Sequence, residues 1–386
     1  MRSKLDRIMK SDAFNSTASS IFAILIGLAV GFVILLVSNP SSAARGFSTM
    51  LFGVIDAGGR GMGQVLYFAT PLIMTGLSVG FAFKTGLFNI GASGQFIMGA
   101  VTAIYVGVHW TFLPAPFHWI VALIIATIVG GIWGLIPGLL KAYLNVHEVI
   151  ATIMMNYIGM YLCNYLTKTY VFDPTKNMSC DVAKTAELPK AGLDRIFSTS
   201  TGGYVDASIV NIGIIIAILV AILIYVIMEK TTFGYELKAV GHNPNASKYA
   251  GINEKRNIVL SMTIAGALSG LGGGLLYLSG PSGRHINVVD ELAAEGFNGI
   301  PVALLGLSNP IGIIFAALFI SYLNQGGTYL QMMNYIPEVI DMIIAVIIYF
   351  SAFALIFRKI VPSIIRKREE KKGKSANVNA EDGGEK

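Results

Sequence analysis

The sequence predicts an all-α polytopic membrane protein of about ten transmembrane helices, one or two of them short or broken, with both termini cytoplasmic. Three observations carry this prediction. Of 386 residues, 54% are hydrophobic and only 13% are charged, where a soluble domain carries about 25% charged residues. The apolar residues fall in blocks of about 20, the length that crosses roughly 30 Å of hydrocarbon. The basic residues gather in alternate loops, as the positive-inside rule requires.

Residues 1–17 form a basic segment with four Lys/Arg. The run 18–37 is longer than the roughly 7–15 apolar residues of a signal peptide, so it is read as a retained span, although Ser42-Ala43-Ala44 resembles a cleavage site. Eight more spans follow at about 64–83, 88–108, 118–140, 149–167, 208–228, 258–279, 310–326 and 338–357. Nine crossings would leave the tail 358–386, with nine Lys/Arg, on the outer side. A tenth crossing restores the balance, and EGFNGIPVALLGLSNP at 295–310 is the candidate. Its apolar stretch is too short to cross alone at about 1.5 Å per residue, but a short helix sheltered by protein can traverse. Twenty of the 28 basic residues then lie inside. The net charge of +6 is therefore a topology signal and gives no reason to expect nucleic acid as a partner.

Three parts result: an N-terminal segment 1–17, a transmembrane domain 18–357, and a charged cytoplasmic tail 358–386 too polar to fold. The outer loop 168–207 has five basic and five acidic residues and is long enough to fold over the outer mouth. The inner loop 229–257 contains a helix signal at 244–250, with Asn243 as N-cap, Pro244 at the first helical position and Gly251 just past the end. Glycines repeat at four-residue spacing in Gly130, Gly134, Gly138 and in Gly266, Gly270, Gly274, with a pair at Gly27 and Gly31. Such faces let helix backbones approach closely.

One stretch, FKTGLFNIGASGQFIMGAV at 83–101, has membrane composition but reads poorly as a helix. Its glycines and its polar Asn89, Ser93 and Gln95 predict a broken, cavity-facing segment. Asn89, Ser93 and Gln95 offer hydrogen bonds either to a solute or to backbone groups freed by the break. Phe88 and Phe96 offer stacking surfaces or core packing, and Phe297 and Asn298 form a similar set in the second broken segment.

Ionisable groups inside the bilayer are costly and functional, yet the 22 acidic residues lie in loops, tails or at span ends. This speaks against proton coupling and less strongly against sodium. The chain lacks a GxxxxGK[ST] phosphate loop and any nucleophile–base arrangement. Cys163 and Cys180 make no disulfide framework, and the five histidines lack metal-ligand spacing. No cofactor, metal or catalytic residue is expected. A passive channel, a sodium-coupled carrier, or a permease driven by another chain remain.

TGLFNIGASGQFIMGA (85–100) and FGYELKAVGHNPNASKYAGI (233–252) resemble the permease subunits of bacterial ABC importers, in the branch that holds ribose, branched-chain amino-acid and nucleoside permeases. The likeness runs from about residue 60 to 357 and is strongest to the nucleoside or simple-sugar permeases. It implies a multi-pass protein of the bacterial plasma membrane and a second permease subunit, often non-identical. It also implies separate ABC ATPase subunits and an extracytoplasmic substrate-binding lipoprotein. The resemblance places ATPase coupling on Asn243, Pro244, Ala246, Tyr249, Ala250 and Gly251. The same reading assigns the substrate pathway to Phe88, Asn89, Ser93, Gln95, Phe96, Phe297 and Asn298. Nucleosides are the expected solute, with a simple sugar or branched-chain amino acid as the alternative. Ser93 departs from the pattern, because many relatives carry an acidic residue there, and so base preference does not transfer.

Overall fold

The computed structural model describes residues 12–201, 204–333 and 335–352. The predicted tail 358–386 and the first eleven residues of the N-terminal segment lie outside the described residues. Within them the chain is almost entirely helical. Six helices are long and apolar enough to cross a membrane, so this is a polytopic membrane protein.

Residues divide into two compact units. The smaller pairs helix α1 (Asp12–Ser38) with helix α14 (Pro337–Ala352). The predicted Gly27/Gly31 pair makes this contact, since a Cβ at Gly27 would lie 2.9 Å from the Ile347 Cα and one at Gly31 would lie 3.0 Å from the Ile343 side chain. The Tyr335 hydroxyl fastens the same unit by donating to the Asn39 carbonyl at 3.4 Å and accepting from Ser42 at 3.1 Å.

The larger unit, 48–330, holds the remaining long helices. They are α3 (Gly58–Lys84), α4 (Ala92–His109), α5 (Phe117–Leu144), α6 (Glu148–Tyr170), α8 (Gly213–Lys230), α11 (Glu254–Tyr277) and α13 (Pro310–Leu330). The two glycine ladders predicted from spacing meet each other here. A Cβ at Gly130 would fall 2.5 Å from the Gly266 carbonyl oxygen, and one at Gly270 would fall 2.7 Å from the Gly130 Cα. Backbone therefore touches backbone along α5 and α11, the close approach that small residues permit in lipid. Helix α11 also packs on α3 and α4 and sits at the centre of this unit.

Two elements were not anticipated. Residues 43–56 form a helix, α2 (Ala43–Asp56), whose mixed composition hid it from a hydropathy reading. The inner loop holds α9 (Thr232–His242) before the predicted short helix. Thr231 caps α9 by accepting from the Gly234 N–H at 3.1 Å, a signal the sequence carried. Loop 168–207 is ordered rather than plain coil. Two hairpins, β1–β2 (Phe172–Asp173, Met178–Ser179) and β3–β4 (Thr199–Thr201, Tyr204–Asp206), flank a single turn, α7 (Leu193–Ile196). Backbone bonds from Ala183 to Gly107 and from Leu188 to Leu278 lay the loop over the ends of α4 and α11. The predicted span 208–228 accordingly starts later, at Gly213, because Asn211 turns the chain and its side chain accepts from the Gly213 N–H at 2.8 Å.

Candidate functional site

The stretch 83–101 is a broken segment. Helix α3 ends in a glycine cap. Gly86 takes φ +73°, with its N–H donating to Phe83 and the Leu87 N–H reaching back to Ala82. This satisfies carbonyls that the helix end would leave bare. Helix α4 begins only at Ala92, four residues later than the predicted 88.

The polar side chains of the break are buried and turned on one another. Asn89 is fully buried. Its Nδ2 donates to the Gln95 Oε1 at 2.9 Å and to the Ser78 hydroxyl at 3.3 Å, while its Oδ1 accepts from the Gly91 N–H at 3.0 Å. From α6, Asn156 accepts from the Gly94 N–H at 2.8 Å and donates to the Ile90 carbonyl at 3.0 Å. From α11, the Ser269 hydroxyl donates to the Ala92 carbonyl at 2.7 Å. The backbone groups freed by the break are thus met by side chains from two neighbouring helices, as burial demands. Asn156 and Ser269 were missed by sequence reasoning. Each is one of several polar residues in a mainly apolar span, a signal that is real but unspecific.

The second broken segment meets the first. Helix α12 (Ala294–Leu305) is followed by residues 306–309, where Leu307 and Ser308 both take positive φ, and then by α13. The Ser93 hydroxyl donates to the Ala293 carbonyl at 2.9 Å, and a Cβ at Gly296 would lie 2.5 Å from the Ser93 nitrogen. Phe96 is fully buried in a cluster with Tyr67 and Leu276. Phe88 is more open and stacks on Phe83 at 5.1 Å, while Phe297 and Asn298 are half-buried.

The other predicted group forms the helix α10 (Pro244–Tyr249). Asn243 caps it by accepting from the Ala246 N–H at 3.0 Å, Pro244 opens it, and Gly251 ends it at φ +81°. Tyr249 is 95% exposed. Two links join this region to the first break. Ile252 packs against a cluster containing Val240, Ala82 and Leu87. A Cβ at Gly241 would fall 2.6 Å from the Lys84 carbonyl oxygen, so α9 lies directly on the turn that starts the broken segment.

A bundle of membrane-crossing helices holding a neutral, glycine-broken polar interior, with an exposed capped helix between two spans, defines the permease class of membrane protein. The family described as "Branched-chain amino acid transport system / permease component" matches residues 61–352, and the chain belongs to it. It is a permease subunit of an ABC importer, a multi-pass component of the cell membrane without catalysis of its own. Among its relatives is the guanosine ABC transporter permease protein NupP of Bacillus subtilis. The two are 39% identical over 90% of this chain and 96% of the relative. The nucleoside ABC transporter permease protein NupB of Lactococcus lactis is 37% identical over 92% of this chain and 97% of its own length. The glucose ABC transporter permease protein TsgB13 of Haloferax volcanii is 29% identical over 92% of each chain. No solved structure matches.

Proposed function

We propose that this chain carries nucleosides inward, as one of two permease subunits. A separate ATPase would dock on α9–α10, and an extracytoplasmic binding lipoprotein would supply the solute. The observation that supports this most is the 37–39% identity over nine-tenths of the chain to permeases named for guanosine and nucleosides. The uncharged but polar broken segments suit a neutral solute rich in hydrogen-bonding groups. The topology that fits is ten crossings, with both termini and the α9–α10 loop in the cytoplasm, as the distribution of basic residues requires.

In this reading the exposed α10 receives force from ATP-driven closure. The Gly241 contact on Lys84 and the Ile252–Leu87 cluster carry that displacement to the first break. Asn89, Ser93 and Gln95 hold the break in shape, and the more open Phe88, Phe297 and Asn298 meet the solute. Alternating access then follows from movement of the broken segments. The test is uptake of labelled nucleosides by cells carrying Tyr249→Glu or Gly251→Glu, or lacking the ATPase gene. Uptake should fall to background in each case with the protein still in the membrane. Uptake that persists without the ATPase would overturn the ABC reading, and competition by sugars but not nucleosides would overturn the substrate.

A further inference from the structure

Helix α6 presents one face to its neighbours and leaves the other uncovered. Ala151, Thr152, Met155, Asn156, Gly159, Met160 and Cys163 are buried. The opposite face carries Tyr157, Tyr161 and Tyr165, which are 46%, 59% and 62% exposed, beside the exposed aliphatic Ile150, Met154 and Ile158. The tyrosines recur every four residues and therefore stand in one row about 12 Å long at about 1.5 Å per residue. The middle of this 23-residue helix falls at residue 159. Tyr157 and Tyr161 then lie about 3 Å from it along the axis and Tyr165 about 9 Å, within a hydrocarbon layer about 30 Å thick. None of the three hydroxyls has a hydrogen-bond partner among the described residues.

The same molecule shows what its lipid-facing surface looks like. The exposed row on α5 is Ile124, Ile128, Ile132 and Ile136, and that on α8 includes Leu219, Leu223 and Val226. Both are aliphatic. Interfacial tyrosines belong at the two ends of a span, where the ring is apolar and the hydroxyl wet. A phenol hydroxyl facing hydrocarbon without a partner is unfavourable, and α6 would bear that three times. Polar groups at this depth face protein or a water-filled space. Next to Tyr165 in sequence, Leu166 lines a cavity of about 280 Å³ between α4 and α6, together with Val101, Thr102, Tyr105, Tyr170 and Val171, and Tyr105 and Tyr170 meet there edge-to-face at 5.8 Å.

We propose that the tyrosine row Tyr157, Tyr161 and Tyr165 lines the solute path, and that it takes a solute combining a flat aromatic ring with hydroxyl groups. The phenol rings offer π-faces for stacking, and base–aromatic stacking is tolerant of which base is present. Their hydroxyls offer donors and acceptors to sugar hydroxyls in succession along the membrane normal. No single position binds tightly, which suits passage rather than storage. The second permease subunit closes the path from the other side. This rests on the nucleoside reading above for the identity of the solute, but not for the presence of a water-filled path.

The test is thiol accessibility in the complete importer, with Cys163 and Cys180 replaced by Ala. Single cysteines at Tyr157, Tyr161, Tyr165, Ile128 and Leu219 are exposed to a charged, membrane-impermeant methanethiosulfonate, with and without saturating guanosine, uridine or glucose. Labelling at the three tyrosine positions should run roughly tenfold faster than at Ile128 and Leu219, since a charged reagent is excluded from hydrocarbon. Nucleosides should slow it. Labelling no faster than at Ile128 and Leu219 overturns the proposal, because the row then faces lipid or a dry seam with the second subunit. Fast labelling slowed by glucose alone keeps the path and overturns the nucleoside reading. Fast labelling that no transported solute slows overturns the row as a solute surface. Tyr161→Leu and Tyr161→Phe in the unmodified importer give an independent readout. The Leu variant should raise the KM for uptake several-fold more than the Phe variant, and an unchanged KM in Leu overturns ring contact.

Discussion

The Ser93 hydroxyl donates to the Ala293 carbonyl across 2.9 Å, and this bond joins the two broken segments of the chain, 200 residues apart. Gly296 makes the contact possible, because a Cβ there would fall 2.5 Å from the Ser93 nitrogen. Gly296→Ala therefore has to push α12 away from the start of α4. Backbone shifts of this kind cost about 1–3 kcal/mol. The expected outcome is a lower melting temperature for the purified permease and loss of nucleoside uptake. Ser93→Ala removes only one hydrogen bond, worth about 1 kcal/mol, and should retain most uptake. A Gly296→Ala protein as stable and active as the wild type would show that the two segments are not held together here.

The amide pair within the first break supports a second prediction. Asn89 and Gln95 exchange two bonds, at 2.9 and 3.3 Å, and both side chains are buried. Asn89→Leu strands the Gln95 amide, whereas Gln95→Leu leaves Asn89 its bonds with Ser78 and Gly91; a buried unpaired polar group costs about 1–3 kcal/mol. The Asn89→Leu/Gln95→Leu double variant should cost less than the sum of the single ones, because the second change removes a group the first had already orphaned. Gly91 still loses its acceptor in any variant of Asn89. Thermal unfolding of all three variants in detergent measures the cycle, and strictly additive shifts would rule out the pairing.

These contacts mark how far the sequence could be read. The helices were legible because apolar runs of span length have few alternatives. The small-residue ladders were legible because glycine at four-residue spacing has one structural use. The helix at Pro244–Tyr249 was legible because Asn243, Pro244 and Gly251 are local signals for local geometry. Helix α2 was not, because Arg45 and Asp56 break its hydropathy. The partners of the broken segment were not legible either. Asn156 and Ser269 act on it from 62 and 177 residues away, and nothing in the sequence says which of several lone polar residues face that way. The α6 tyrosines escaped for a related reason: in sequence they are aromatic residues of a span, and only the packing shows which side is left bare.

The ladder contact itself is testable. A Cβ added at Gly270 would fall 2.5 Å from the Ala126 carbonyl oxygen and 2.7 Å from the Gly130 Cα on one side, and Gly99 packs on its backbone from α4. A side chain there meets backbone, which cannot rotate away. Gly270→Leu should prevent α11 from closing on α5 and sharply lower the amount of folded permease in the membrane. Gly274→Ala should be milder, because its Cβ would come within 2.9 Å of the flexible tip of Leu123 rather than of backbone. Equal abundance of both variants would mean that this interface tolerates separation.

The last prediction concerns pH and the loop 168–207. Asp181 accepts from Lys176 within the loop and stands 2.7 Å from the His285 Nε2 beyond α11. The Lys176 hydrogen bond first, and the His285 contact second, hold the Asp181 carboxyl below the usual carboxylate range. A carboxyl whose folded value is depressed favours the folded form above its unfolded value, about 3.9 for Asp. That contribution is lost as pH falls through the lower folded value. The tether between the loop and residue 285 should therefore stay intact from neutrality down to about pH 4 and loosen below it. Because the group is partly solvent-exposed, the effect is local opening rather than global unfolding. Hydrogen exchange of residues 178–182 should rise steeply below that pH in the wild type. In Asp181→Asn it should already be raised at neutral pH and show no step there. A wild-type loop whose exchange shows no acid step would mean that this carboxylate does not hold it.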